Sequence, residues 1–390
     1  KMVCYIPTGT FYITNAIKVL DDTTLRGAHH RESIIEKTTN NICSDGSDYN
    51  DYDAIIIIDS ANLKGNSSGL FATIENIYIK GNTLAYSANK EKKNRQYGIL
   101  ALHPIPKTFI RNFNIRDVDE GIYIESLWTG AIEYAEMIRG NYRGISIMNQ
   151  SQGVTIKNIN TMYTHEMGIE LRGTSYSNLI SCLVEWIYDG TAYRFGNAVV
   201  NLNGCGYEVG NGVKIGFDFY KSYTTLSGGY LYTSTPNDDE DDNNYMFVLN
   251  QSNVTIKNSI IGSSSGTAAS DSFNGAFAKI INNSHLIVNN DCSWHCNFKK
   301  PIETSTDTIN NRITIKDHTI LLTSKRVILS QDWSRSECLD SQINPNGGSY
   351  ISKHIYLDNI TSPNYTSNTS EGSSQEWQPN YNKGDLLTIN

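Results

Sequence analysis

Apolar residues recur in this chain on two scales. Over short stretches they alternate with polar ones, as in Ile74-Glu75-Asn76-Ile77-Tyr78-Ile79, Phe109-Ile110-Arg111-Asn112-Phe113 and Ala131-Ile132-Glu133-Tyr134-Ala135. The form returns at Val154 to Ile159, Leu179 to Leu183, Val213 to Phe217 and Val254 to Asn258. Alternation of period two is that of a strand with one face buried. On the longer scale, Gly-Ile dipeptides begin at Gly98, Gly121, Gly144 and Gly168, spaced by 23, 23 and 24 residues, with a weaker echo at Asn197-Ala198. Helical solenoids need roughly 33 to 47 residues per unit and a period of 3.6. One turn of short strands cannot bury its own apolar face, so turns must stack about 4.8 Å apart around a shared core. The pattern predicts an all-β single-chain solenoid, a parallel β-helix.

Stacking the turns in register assigns directions. Ile122, Ile124, Ile145, Ile147, Ile169 and Leu171 point inward, and Tyr123, Glu125, Ser146, Met148, Glu170 and Arg172 point outward. From about residue 300 the period is lost. Arg312 to Ile315, Ile320 to Leu322 and Arg326 to Leu329 read as separate antiparallel-type strands. This divides the chain into a β-helix over 1–299 and a C-terminal β domain over 300–390. The Ser/Thr/Asn/Gly-rich stretch from Ser362 to Ser374 reads as a loop.

The opening Tyr5-Ile6-Pro7-Thr8-Gly9-Thr10-Phe11-Tyr12-Ile13, followed by Leu25-Arg26-Gly27, resembles the first coils of pectate-lyase-like right-handed β-helix proteins, including phage tailspike depolymerases. The resemblance covers roughly residues 3 to 290 and is specific for fold but weak for substrate. It implies a polysaccharide depolymerase of a phage tail, a homotrimer, and a C-terminal domain that joins chains or binds sugar. The chain opens at Lys1 in strand-like sequence, which reads as a piece whose tail-attaching N-terminal part precedes it. The expected location is the virion tail, after synthesis in the host bacterial cytoplasm. The polygalacturonase motif set and the Arg-x-Pro-x-x-Arg signature of calcium pectate lyases are missing, which argues against pectin.

Composition narrows the partners. With 39% hydrophobic residues and a net charge of −8, the chain is too apolar for disorder and has no basic stripe for nucleic acid. A local arginine cluster can still meet an acidic glycan. No run of about 18 apolar residues predicts membrane insertion. Seven cysteines (Cys4, Cys43, Cys182, Cys205, Cys292, Cys296 and Cys338) lack zinc spacing and read as buried free thiols. The Asn-x-Ser/Thr triplets at Asn66, Asn250, Asn253, Asn359, Asn364 and Asn368 follow from an Asn-rich composition. Asp238 to Asp242 lacks the spaced ligands of a calcium loop and reads as a solvated acidic loop, and His29-His30 as a surface pair. Neither a metal nor a cofactor is expected.

Charged residues gather before and on the Gly-Ile strand. Successive turns present Asp117, Asp119 and Glu120, then Arg143, then His165 and Glu166, then Asp189, while Glu125, Glu170 and Arg172 lie on the strand. The candidate catalytic residues are Glu166, Glu170, Asp189, His165, Glu125 and Glu120. The candidate substrate-binding residues are Arg143, Arg172, Tyr123, Tyr163, Trp186 and Tyr188, with Tyr142 nearby. Glycoside hydrolysis needs two carboxyl groups about 5 Å apart in retaining enzymes and about 6.5–9.5 Å apart in inverting ones. Equivalent positions on adjacent coils lie about 4.8 Å apart and diagonal ones somewhat further, so Glu166 paired with Asp189, or with Glu170, could meet either spacing. A lyase would use His165 or Tyr163 as base, with Arg143 or Arg172 against a uronate. Each outward acid has a plainer reading as a solvated ladder residue, and the arginines as partners that neutralise acids. Three functions stay open: an endo-acting hydrolase of capsule or O-antigen, slightly preferred; a lyase of a uronic-acid-containing capsule; and a non-catalytic receptor-binding adhesin.

Overall fold

The computed structural model describes residues 2–43, 47–60, 72–83, 86–87, 91, 94–208, 213–234, 244–264, 276–289 and 292–295. It also describes five short strands beyond them, Ile302–Thr304, Asn311–Ile315, His318–Leu322, Val327–Leu329 and Ile355–Leu357. The regular elements among these residues are strands. Two compact units, Lys1–Asn201 and Leu202–Asn390, each carry parallel coils. The fold is the right-handed parallel β-helix, the hand that parallel crossovers adopt.

In the first unit each full turn contributes to three parallel sheets, one more than the alternation alone suggests. The first sheet stacks Leu25, Ile74, Ile110, Ile132, Ile156 and Leu179. The second stacks Ile35, Ile79, Ile115, Ile138, Thr161 and Val184. The third stacks Ile56, Ile99, Ile122, Ile145, Ile169 and Tyr193. All of these side chains are buried, and each large apolar one stabilises the fold by about 1.5–3 kcal/mol.

The extra sheet arises at a corner. Asn76, Asn112, Tyr134, Asn158 and Ser181, each two residues past the first column, have φ between 50° and 59°. Asn tolerates this left-handed conformation because its short side chain bonds locally. An apolar run such as Ile74 to Ile79 therefore bends in its middle and serves two sheets. The Gly-Ile repeat has a different cause. A Cβ on Gly98, Gly121 or Gly144 would lie 2.4–2.6 Å from a carbonyl oxygen of the next coil, so only glycine lets the third sheet close up.

In the second unit the pairing is again parallel. Phe217, Phe247, Ala278 and Ile302 stack in one column. A buried polar ladder runs beside it, in which Ser222 N donates to Ser252 Oγ (3.0 Å), Ser252 N to Ser284 Oγ (3.0 Å) and Ser284 N to Asn311 Oδ1 (3.1 Å). Asn311–Ile315 was expected outside the coil. It pairs in parallel with His285–Val288 and antiparallel with His318–Leu322. The residues that suggested an independent strand thus continue the stack to Ile315 by filling the column of Leu286 and Val288. Val327–Leu329 and Ile355–Leu357 pair antiparallel.

Among the described cysteines, Cys182, Cys205 and Cys292 are buried free thiols, Cys43 is half-buried and Cys4 is exposed. Cys296, Cys338, the Asp238 to Asp242 run, the Ser362 to Ser374 stretch and Asn66, Asn359, Asn364 and Asn368 lie outside the described residues.

Candidate active site

The outer side of the third sheet changes character along the stack. One outward column runs Ile57, Leu100, Tyr123, Ser146, Glu170 and Arg194. Its first two coils are apolar because a loop covers them. Tyr49 is buried against Ala54, Ile57, Tyr97 and Leu100, with Cys43 and Tyr52 packed alongside. The Tyr49 hydroxyl donates to Ile58 O (2.8 Å) and accepts from Leu102 N (3.2 Å). Past Tyr123 the column turns polar, and the charged residues gather there.

Three glutamates and three arginines form one network. Arg95 Nη1 donates to Glu120 Oε1 (2.6 Å) and Glu166 Oε2 (3.3 Å), and its Nη2 donates to Glu166 Oε1 (2.8 Å). Arg143 Nε donates to Glu166 Oε2 (3.0 Å), and its Nη1 donates to Glu170 Oε2 (2.8 Å). Arg172 Nε sits 2.6 Å from Glu170 Oε1, off the hydrogen-bond axis. Glu120 and Glu170 are buried, whereas Glu166 is 31% exposed.

These environments push two carboxyls apart. Desolvation raises Glu120 above the ordinary range, Arg143 and Arg95 oppose it, and Glu166 adds to it. Burial also works upward on Glu166. Hydrogen bonds from Arg95 and Arg143 and their two charges overcome it and hold Glu166 below the ordinary range. Burial thus decides the direction at Glu120, and the two arginines decide it at Glu166.

A row of rings borders the network. His165 stacks on Tyr86 at 3.8 Å, almost coplanar at 6°, and on Tyr188 at 4.8 Å. Tyr163 lies near parallel to Trp186 (6.1 Å) and Tyr188 (6.4 Å). Trp186 and Tyr188 are exposed. Tyr163 and Trp186 occupy a left-handed corner, with φ of 59° and 53°. Bulky residues rarely adopt that conformation, and strain of this kind collects at functional sites. Burial lowers the His165 ring below its ordinary value, Asp189 opposing, so the imidazole is neutral near pH 7. Exposed Asp189 lies on the next coil. A Cβ on Gly190 would meet Glu166 O at 2.3 Å and His165 O at 2.5 Å, so this glycine lets the coil of Asp189 close onto that backbone, and the Asp189 charge is felt at His165.

The predicted residues thus fall into three groups. Glu120, Glu166, Glu170, Arg143 and Arg172 share the network, and His165, Tyr163, Trp186, Tyr188 and Asp189 border it. Tyr123 and Glu125 stand apart as a pair, with the Tyr123 hydroxyl donating to Glu125 Oε1 (2.6 Å) and Asn149 Nδ2 also donating to Glu125. One correction concerns Glu120 and Glu170. Both leave the β-helix core as expected, yet neither faces solvent, because arginines from neighbouring coils lie over them. Arg95, Tyr86 and the place of Tyr142 were not foreseen. The Arg95 guanidinium carbon lies 3.7 Å from the centre of the Tyr142 ring, and the Tyr142 hydroxyl donates to Ser87 O. The one available signal was positional: Arg95 ends the long segment before Gly98, where later coils carry their charged turns.

Residues 1–191 match the model of a family described as rhamnogalacturonase A/epimerase, pectate lyase-like. That segment contains both the opening strand and the whole network. No curated protein matches the sequence. Among solved structures, the chain is similar to the gp42 tailspike of Acinetobacter phage vb_AbaP_AS12, with a TM-score of 0.66 and 15% identity over 85% of this chain and 61% of that one. It is also similar to the DFA-IIIase of Arthrobacter chlorophenolicus A6, with a TM-score of 0.50 and 10% identity over 74% of each chain. The chain therefore spans about three fifths of the length of the tailspike it resembles.

Proposed function

We propose that this pectate-lyase-like β-helix is the enzymatic part of a phage tailspike that cleaves glycosidic bonds within a bacterial surface polysaccharide, capsule or O-antigen. The observation that carries this reading is the row of exposed aromatic rings beside an ionised, half-buried glutamate. Sugar rings present apolar faces that suit Trp186, Tyr188 and Tyr163. Glu166 supplies the carboxylate, as base or nucleophile, and Asp189 on the adjoining coil supplies the second carboxyl group. Neighbouring coils lie about 4.8 Å apart and diagonal positions somewhat further, which is close to the separation of about 5 Å that a retaining two-carboxylate hydrolase uses. Glu120 and Glu170 are too buried to touch a glycan and act through the arginines. Tyr123 and Glu125 lie further along the same face, where a longer chain would pass.

A second reading has its own support. Neutral His165 at the border of the network suits proton abstraction from a uronic acid, and exposed Arg172 within the network suits neutralisation of its carboxylate, which is β-elimination. Assembly as a homotrimer, a C-terminal β domain that joins chains or binds sugar and follows the coil beyond Ile315 rather than beginning at 300, and attachment to the virion tail through a further N-terminal part complete the proposal.

The test is to incubate the purified protein with a panel of capsular and O-antigen polysaccharides, following chain length and the ultraviolet absorbance of unsaturated products. Shortening without absorbance supports hydrolysis. Shortening with absorbance moves the chemistry to His165. Binding without shortening across the panel overturns the enzyme and leaves a receptor-binding adhesin.

A further inference from the structure

We infer that Arg95 is a positioning residue that keeps the Glu166 carboxylate ionised and aimed outward. This rests on the reading of Glu166 as the working carboxylate.

Three observations lead to it. First, Arg95 makes a two-pronged contact to Glu166, and its Nη1 at the same time reaches Glu120 on a different coil. A planar guanidinium can hold two carboxylates in fixed geometry, whereas an ammonium cannot. Second, Arg95 is itself fixed. It is buried and lies against the face of buried Tyr142 at 3.7 Å, and Ser87 of the same segment accepts the Tyr142 hydroxyl. Tyr86, also from this segment, stacks on His165. Tyr86, Ser87 and Arg95 thus each contact residues of later coils. Third, the exposures are graded. Arg95 and Arg143 lie beneath and Glu166 above, so the carboxylate meets the groove while its counter-charges do not.

The groups facing Glu166 are Arg95, Arg143 and, through them, Glu120 and Glu170, with His165 adjoining it in the chain and Asp189 across the coil step. Without Arg95, Glu166 keeps one arginine, which it shares with Glu170 and, at 3.9 Å, with Glu120. Its affinity for a proton then rises. Because Glu166 works ionised, the acid limb of the cleavage profile must move to higher pH.

The experiment compares the wild-type protein with Arg95→Gln and Arg95→Lys. Cleavage of the responsive polysaccharide is followed against pH, and Glu166 is titrated directly by NMR on protein labelled with carboxyl-13C glutamate, assigned with Glu166→Gln. We expect Arg95→Gln to shift both the acid limb and the Glu166 titration upward by about one pH unit or more. It should lower kcat far more than it raises KM, and Arg95→Lys should restore the titration in part but not the rate. An unmoved Glu166 titration in folded Arg95→Gln overturns the inference. So does a rise in KM at constant kcat, which would make Arg95 a substrate contact. Should Arg95→Gln fail to fold, Arg95→Lys with an unshifted titration and full kcat overturns it equally. The NMR titration needs no cleavage, so absence of activity would defeat the proposed function while leaving this inference to its own measurement.

Discussion

Two places on the first unit set one glutamate between two arginines from stacked coils, and they do so in opposite senses. On the outer side of the first sheet, Glu75 takes Arg26 Nε on one oxygen and Arg111 Nε on the other at 2.7 Å. On the outer side of the third sheet, Glu166 takes Arg95 and Arg143. Both carboxyls sit below the ordinary range: burial raises each, and the arginine bonds and charges outweigh it. Exposure separates them. Glu75 is 5% exposed beneath arginines at 48% and 47%, whereas Glu166 is 31% exposed above arginines at 8% and 15%. An acid under exposed arginines is a rung of a ladder, since the arginines meet the water. An acid over buried arginines is an ionised group offered to a ligand.

The sharpest way to break this comparison is to neutralise each acid. Glu166→Gln should cut the cleavage rate by roughly 10²–10⁴-fold, the size of a lost acid–base group. Glu75→Gln should leave the rate within twofold and lower stability by about 1 kcal/mol. Rates on the responsive polysaccharide and urea midpoints check both, and equal loss of activity from the two variants would erase the distinction.

The next largest effect concerns the rings. Trp186→Ala and Tyr188→Ala should each raise KM about tenfold, a loss of ~1.4 kcal/mol in binding, with kcat little changed. An Ala substitution at exposed Tyr134, which lies outside the row, should not. Binding isotherms on a short oligosaccharide would decide this.

Acid should weaken the two glutamates in the same direction. A carboxyl held below its unfolded value of about 4.3 contributes stability that is present above that pH and is lost as pH falls through the depressed folded value. Glu75 and Glu166 both follow this rule, whereas Glu120, raised by burial, has the opposite sign and loses its contribution as pH rises through its folded value. The drop in Tm below about pH 4 should therefore be shallower in Glu75→Gln and Glu166→Gln than in the wild type, and unchanged or steeper in Glu120→Gln. Tm against pH by calorimetry would show it.

The smallest effect is expected at the pair that stands apart. Tyr123→Phe removes one hydrogen bond to Glu125 and should cost about 1 kcal/mol of stability. A larger loss in rate than in stability would draw this pair into the site.

Particular residues mark how far the chain could be read. The columns through Ile122, Ile145 and Ile169 and the glycines before them were legible because burial on one face and close approach of coils demand those residue types. The rings at Tyr163, Trp186 and Tyr188 were legible only as neighbours of the charged cluster, Trp186 and Tyr188 lying about one coil on from Tyr163. The second sheet was hidden because the corner before it is a single left-handed residue, such as Asn76 or Asn158, within an unbroken alternation. The parallel pairing of Asn311–Ile315 was hidden because coil length there departs from the earlier period.

The sequence by itself determined the β-helix, its pectate-lyase-like opening and the face on which charge collects, because each follows from local patterns repeated at one period. Only the tertiary structure decided which acids stay accessible. Burial and charge balance depend on side chains brought from other coils, and Arg95, which the pattern of the Gly-Ile strands does not predict, decides that Glu166 is ionised and helps to cover Glu120.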